Sequence, residues 1–310
     1  MRKFFIVDNR TNTVFWAIIA CLLWSTAAPG IKIGLEFSTP LHFAGVRFVI
    51  SGLLILPFTV RPSAYISIIR GNIRIIMLVT MFQTVLNYIL FYKGMDLVPG
   101  AIGAIVIGSQ PLIIALTAAL MIKEETLNLR KVSIIIIGIS GVILVSLGRQ
   151  GLKLGTAGEL LGVIMILGAN TCSAISNVVV SKKGKGINPF VLSSFSLLAG
   201  GLLIWLLSLL TEPPFIYPRG EGAVTYWISL GWLSFMSSVA FTIWYILLQR
   251  PGVKVSDLNF YKFIIPVFGA IISWLLIEGE RPQWLTITGM VVITASLILF
   301  YRCSHQKQAC

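Results

Sequence analysis

The sequence predicts an all-α integral membrane protein of ten transmembrane helices, built as a 5+5 inverted-topology repeat. Three observations predict it. Of 310 residues, 56% are hydrophobic and 11% are charged, where soluble domains carry about 25% charged residues. Apolar stretches close to the roughly 20 residues needed to cross a bilayer recur along the whole chain. The Lys and Arg residues fall in alternate loops, as they do when basic loops fix membrane topology.

The spans are expected at 13–33, 40–59, 74–93, 98–122, 132–148, 158–181, 190–211, 225–248, 255–277 and 283–301. They are read as helices because in hydrocarbon each backbone polar group must be satisfied within its own segment. The connections are short and rich in turn formers, such as Glu212-Pro213-Pro214 and Arg250-Pro251-Gly252. Ahead of the first span, Met1-Arg2-Lys3 and the apolar patch Phe4 to Val7 give way to the polar run Asp8 to Thr13. That patch is too short for a signal sequence, so the N-terminus is read as uncleaved.

With these spans, one side of the membrane holds sixteen basic residues, among them Arg61, Arg70, Arg74, Lys123, Arg130, Lys131, Lys182, Lys183 and Lys185. The other side holds six: Lys32, Lys93, Arg149, Lys153, Arg219 and Arg281. The bias places both termini in the cytoplasm. The net charge of +13 is thereby accounted for without nucleic acid.

The two halves, 1–150 and 151–310, share a pattern. Pro111 lies mid-span with Glu125 just beyond the span end, and Pro266 and Glu280 repeat this 155 residues later. At the same shift Ala115 matches Ala270, Leu120 matches Leu275 and Ile122 matches Ile277. Five spans is an odd number, so the second half enters the membrane from the opposite face. Inverted repeats of this kind put a substrate site near the midplane, where the halves meet.

On these residues the chain resembles the drug/metabolite transporter superfamily, and within it the EamA family of ten-helix permeases. The resemblance is carried by Trp24-Ser25, by Pro40 and Arg47, and by Pro111 to Glu125. Pro266, the Glu278-Gly279-Glu280-Arg281 turn and Gly289 complete the second copy. Ile134 stands where Gly289 does, so that close-packing position is expected to be unshared. The resemblance implies a carrier of small metabolites, often amino acids, in a bacterial inner membrane. Its implied partners are a small-molecule substrate and the lipid bilayer. A coupling ion, and a monomeric or homodimeric state, are left open.

Intramembrane polar residues are costly and tend to face a cavity or a partner helix. In the ninth span Asn259, Lys262, Pro266, Gly269 and Ser273 share one helical face. Pro266 leaves the Lys262 carbonyl without its helical donor, so a cation and a free acceptor occur at one height. Against this stands snorkelling of Lys262 to the interface. Arg47 is read first as structural, paired with a carbonyl or with Asp96. The sixth span carries Asn170, Ser173 and Asn177, the third Thr80, Gln83 and Asn87, and the eighth Ser234, Ser238, Phe241 and Tyr245 with Trp244 adjacent. Each set suits either a hydrated cavity or bonding between helices. Gln110 beside Pro111 is a candidate ligand for substrate, and Tyr261, Trp24 and Tyr92 are candidate aromatic walls. The small face Ala104, Gly108, Pro111, Ala115 and Ala118 is read as close packing. Pro111, Pro266, Glu125 and Glu280 are candidate structural or gating residues.

No span carries Asp or Glu near its centre, which argues against a cation pump and for zwitterionic or anionic cargo. A sugar-phosphate or nucleotide-sugar carrier would want several cavity cations. A membrane enzyme acting on a lipid-linked substrate would want an interfacial cluster of carboxylates or histidines, and the only histidines are His42 and His305. There is no HExxH and no phosphate-cradling Gly loop. No cofactor, no metal and no nucleic-acid partner are expected, and the four cysteines have no metal-ligand spacing.

Overall fold

The computed structural model describes residues 10–98, 100–125, 128–149, 157–216, 218–276 and 282–306, and among them every regular element is a helix. Nine helices among the described residues are long and apolar enough to cross a membrane: Asn12–Leu35, Pro40–Phe58, Pro62–Leu97, Ile102–Met121, Leu129–Leu147, Ala157–Lys183, Pro189–Thr211, Gly222–Leu248 and Val255–Ile272. A shorter apolar helix, Trp284–Phe300, follows. The chain is an all-α, ten-helix membrane protein. These helices are called below the first to tenth spans.

The largest departure from expectation is the third span. It was expected at 74–93, with a basic loop before it, but the helix begins at Pro62. Proline suits a first helical position because that N–H has no intrahelical partner. Arg70 and Arg74 break the apolar run and make the segment read as a loop. The backbone kinks at Asn72 (φ −127°, ψ 19°), where the side chain donates to the Ile68 carbonyl at 3.0 Å. Further on the helix widens to a π segment, Thr80–Leu86.

Three spans are broken, each just before a proline. The first divides into Arg10–Ser25 and Ala27–Leu35, three residues ahead of Pro29. The fourth divides into Gly100–Gly108 and Gln110–Met121, at Pro111. In the ninth, Val255–Phe260 passes through a 3-10 turn, Tyr261–Phe263, into Ile264–Leu276, which contains Pro266. A proline lacks the N–H that would bond the carbonyl four residues back, so the chain loosens one turn ahead of it.

Packing follows a pairwise plan. The second span lies along the seventh and the fifth along the tenth. The third packs on the sixth and the eighth on the first. The fourth touches the sixth, and the ninth touches the first. The second contacts the eighth, as the seventh contacts the third. The contacts just named recur, or map onto themselves, five spans further on.

Glycine permits the closest of these approaches. A Cβ on Gly45 would lie 2.6 Å from the Trp205 backbone nitrogen, and one on Gly201 the same distance from that of Val49. On the fifth–tenth seam, a Cβ on Gly289 would meet the Gly141 carbonyl at 2.6 Å. Ile134, at the position equivalent to Gly289, is a buried side chain of this seam, and the residue that Gly289 meets is Gly141, two turns further on.

Candidate functional site

The site grows from the breaks in the fourth and ninth spans. Lys262 lies in the 3-10 turn of the ninth span and is half-buried. Its Nζ donates to Gln110 Oε1, 3.0 Å away at the break of the fourth span. It also sits 5.1 Å from the Trp244 ring centroid and 5.6 Å from that of Trp24. Those two indoles meet edge to face at 5.0 Å. A cation over an indole face is attracted by the ring quadrupole. The ammonium is therefore held by one amide oxygen and two π faces. No carboxylate pairs with it among the described residues.

Behind this contact run two amide relays. Gln110 Nε2 donates to Asn170 Oδ1 at 3.4 Å, and Asn170 Nδ2 donates to the Val106 carbonyl at 2.8 Å. The Val106 carbonyl also accepts from Ser109 Oγ at 2.6 Å, so the break in the fourth span is satisfied by side chains. In the second relay, Asn177 Oδ1 accepts from Trp244 Nε1 at 2.9 Å and from Asn259 Nδ2 at 3.1 Å. Asn177 Nδ2 donates to the Ser173 carbonyl at 2.7 Å and to Gln83 Oε1 at 3.4 Å. Asn259 Oδ1 is buried with no hydrogen-bond partner.

A cavity of about 210 Å³ opens against Lys262 and Gln110. Its other walls are Ser25 and Ala28 of the first span, Ala104 to Pro111 of the fourth, Val142 to Ser146 of the fifth, and Phe263 to Ala270 of the ninth. Along the first, fourth, fifth and ninth spans alike, these walls run from the level of Lys262 away from the basic end of the molecule. Ala104, Gly108 and Pro111 of the small face border this cavity, yet the face also packs closely: a Cβ on Gly108 would lie 2.3 Å from Val142 Cγ1, and Pro111, Ala115 and Ala118 are buried.

At the basic end, side chains tie the ends of several spans together. Glu125 accepts from the backbone N–H groups of Val255 and Ser256, where the ninth span begins. Lys131 pairs with Asp257, Lys182 Nζ donates to the Met121 carbonyl at 2.7 Å, and Arg250 Nη1 donates to Thr13 Oγ1 at 2.9 Å. At the opposite end Glu212 caps the second span, accepting from Thr39 Oγ1, Leu41 N and His42 N at 2.7–2.9 Å. Carboxylates at helix N-termini are favoured by the orphan N–H groups and the helix dipole.

Of the residues singled out in the sequence, Lys262, Gln110, Trp24, Asn170, Asn177, Gln83, Asn259 and Pro266 come together here. Ser173 lends only its carbonyl. Asn87 is half-buried one turn beyond Gln83, and Tyr261 is half-buried against the core. Tyr245 is 2% exposed beside Phe241 and does not reach the cavity. Glu280, with the turn around it, lies outside the described residues. In the eighth span Ser234 bonds the Arg47 carbonyl and Ser238 its own helix, so these serines join or satisfy helices.

Arg47 stands apart from the site. It is 2% exposed, donates Nε and Nη2 to Ser237 Oγ at 3.0 and 2.8 Å, and lies 4.9 Å over the Phe48 ring. Asp96, its expected partner, is exposed, and the guanidinium has turned instead to the eighth span. Sequence reasoning passed over Trp244, whose ring and N–H serve both Lys262 and Asn177. Its one signal was its place beside a row of polar residues.

The family model described as "EamA-like transporter family" matches residues 11–147 and 160–302. The chain belongs to the EamA-like transporter family, and is a multi-pass membrane permease of the drug/metabolite transporter type. The uncharacterized transporter YvbV of Bacillus subtilis is 24% identical over 97% of this chain and 95% of that protein. The uncharacterized inner membrane transporter YedA of Escherichia coli K12 is 25% identical over 92% of this chain and 90% of that protein. A solved crystal structure shares the fold with a TM-score of 0.80 at 19% identity, covering 96% of this chain and 99% of that one.

Proposed function

We propose that the protein exports small carboxylate-bearing metabolites, amino acids or related zwitterionic and anionic compounds, across a bacterial inner membrane by alternating access. One observation carries this reading. The Lys262 ammonium sits at the break inside the ninth span, bonded across to the break of the fourth, with a cavity before it and no carboxylate partner among the described residues. Broken helices that meet at the midplane are where inverted-repeat carriers bind their cargo.

Residues 1–150 and 151–310 are the two inverted halves in this account. Support comes from the two stretches matched by the family model and from packing contacts that recur five spans on. The basic end is cytoplasmic, as the loop charges argue, and both termini lie there. The ties from Glu125, Lys131, Lys182 and Arg250 then close the cytoplasmic side, and the cavity is the outward-facing one. Exchange to the inward-facing state breaks those ties and closes the first, fourth, fifth and ninth spans over Lys262.

A sugar-phosphate or nucleotide-sugar carrier is less well supported, because Lys262 is the one cation among the described cavity walls. The test is flux in proteoliposomes. Labelled amino acids or organic acids should move down their gradients. Brisk movement of a quaternary ammonium compound, with no flux of either class, rejects the proposal.

A further inference from the structure

We propose that the N-terminal arm of the third span, Pro62 to Arg74, is a docking strip for the headgroup of an anionic phospholipid. The strip lies outside the cavity at Lys262, and nothing in its case depends on what that cavity carries.

The helix is too long for the membrane. Pro62–Leu97 runs for 36 residues, about 54 Å at 1.5 Å per residue, where the hydrocarbon core is about 30 Å thick. What the helix exposes shows which part lies in hydrocarbon. Between Arg74 and Lys93 the exposed positions are Met77, Leu78 and Leu86, and that stretch is about 29 Å long. Arg74 thus marks one boundary of the hydrocarbon and Lys93 the other, which leaves the arm at the headgroup level of the basic side. The arm does not stand out into water. Tyr65 Oη shares a hydrogen bond with Ser194 Oγ at 3.0 Å, five residues past the start of the seventh span at Pro189, and the helix bends at Asn72.

Around its circumference the arm has three strips. Tyr65, Ile68, Asn72, Ile75 and Ile76 are partly or fully buried, at helical spacings that continue across the bend. Ser63, Ser67, Arg70 and Arg74 face the other way, exposed and within about 60° of one another at 3.6 residues per turn. Between these two strips lie Ile66, Ile73 and Met77, apolar and exposed. A basic strip beside an apolar one matches the boundary between headgroups and acyl chains. A soluble acidic partner would satisfy the arginines and leave the isoleucines without a counterpart.

The charge of the strip is uncompensated. No Asp or Glu occurs between Glu36 and Asp96, and neither Arg70 nor Arg74 has a hydrogen-bond or ion-pair partner among the described residues. A Cβ on Gly71 would meet nothing within 4 Å, so the surface beside the two arginines is open. Guanidinium forks bind phosphate oxygens in pairs, and clusters of basic residues next to a span attract anionic lipid. The exposed Arg61, just ahead of the helix, adds a third cation at the same end.

The experiment measures the lipid that the full-length protein keeps. It is reconstituted in vesicles of equal parts phosphatidylglycerol and phosphatidylcholine, extracted in mild detergent, and assayed for both. Wild type should retain at least threefold more phosphatidylglycerol. Arg70→Gln combined with Arg74→Gln should bring the ratio close to one, while Lys183→Gln combined with Lys185→Gln, at exposed lysines of the same end, should leave it unchanged. Where the arginine variant fails to insert, Ser67→Glu, which offers Arg70 a carboxylate one turn away, should lower the ratio in the same sense. Millimolar glycerol 3-phosphate should not displace the lipid. An unchanged ratio in the arginine variant and in Ser67→Glu would overturn the proposal, and equal losses in the arginine and lysine variants would reduce it to diffuse charge. Displacement by glycerol 3-phosphate would make the strip a site for soluble phosphates, and no preference in wild type would leave it to an acidic protein; either result rejects the lipid.

Discussion

Arg47 and Lys262 both lie well inside their spans, and the protein treats them in opposite ways. Arg47 is sealed between the second and eighth spans, with Ser237 and the Phe48 ring against its guanidinium and 2% of its surface exposed. Lys262 is half-buried at the wall of a cavity, held by Gln110 and two tryptophans. Among the described residues neither pairs with a carboxylate. An arginine fork fixed by a hydroxyl is a way to join two helices, because its donors are rigid and converge. A lysine beside open space, with donors to spare, is a way to receive a ligand. The contrast teaches that intramembrane charge alone does not mark a site; what the charge faces does.

The contrast can be broken at either residue. Lys262→Ala should lower the initial rate of transport at least tenfold, with thermal stability kept near wild type. Unchanged flux in proteoliposomes would return Lys262 to a structural role. Ser237→Ala should do the reverse, because it strands a buried guanidinium. A stability loss of about 2 kcal/mol is expected, the scale of a hydrogen bond to a charged group, with the apparent KM unchanged. Trp244→Phe keeps a ring over Lys262 but removes the donor to Asn177. It should cost about 1 kcal/mol and shift apparent affinity less than Lys262→Ala does. Glu125→Gln sharpens the picture at the basic end by weakening the cap on the ninth span. A loss of about 1 kcal/mol is expected from the cap, along with faster labelling of a cysteine placed at Ser256 from the cytoplasmic side.

Much of this was legible in the sequence, and the failures have physical reasons. Span number and most span positions follow from apolar length, which hydrocarbon dictates. The extension of the third span to Pro62 was hidden because Arg70 and Arg74 made a helix resemble a basic loop. Lys262, Gln110, Asn170 and Asn177 were readable because polar groups at mid-span are costly and therefore few. Which of them touch was not readable: Lys262 and Gln110 are far apart in the chain, and only the packing of the fourth span near the ninth joins them. Trp244 was obscured because an aromatic residue is ordinary in a span. The contact of Gly141 with Gly289 was not readable because it depends on how the fifth and tenth spans cross, which no spacing within either helix records. Glu125 as a cap for the ninth span, and Glu212 for the second, depend on chain segments more than 100 residues away.

The central claim is that Lys262 faces water inside the membrane and Arg47 does not. It is tested most directly by cysteine accessibility, with Cys21, Cys172, Cys303 and Cys310 first replaced by serine. Lys262→Cys and Arg47→Cys are each exposed, in intact cells, to a small membrane-impermeant thiol reagent. Lys262→Cys should be modified within minutes and shielded by blocking the cavity with Ala104→Leu, while Arg47→Cys should react only after denaturation. Equal rates at the two positions, or a Lys262→Cys thiol that stays silent in the folded protein, would contradict the account.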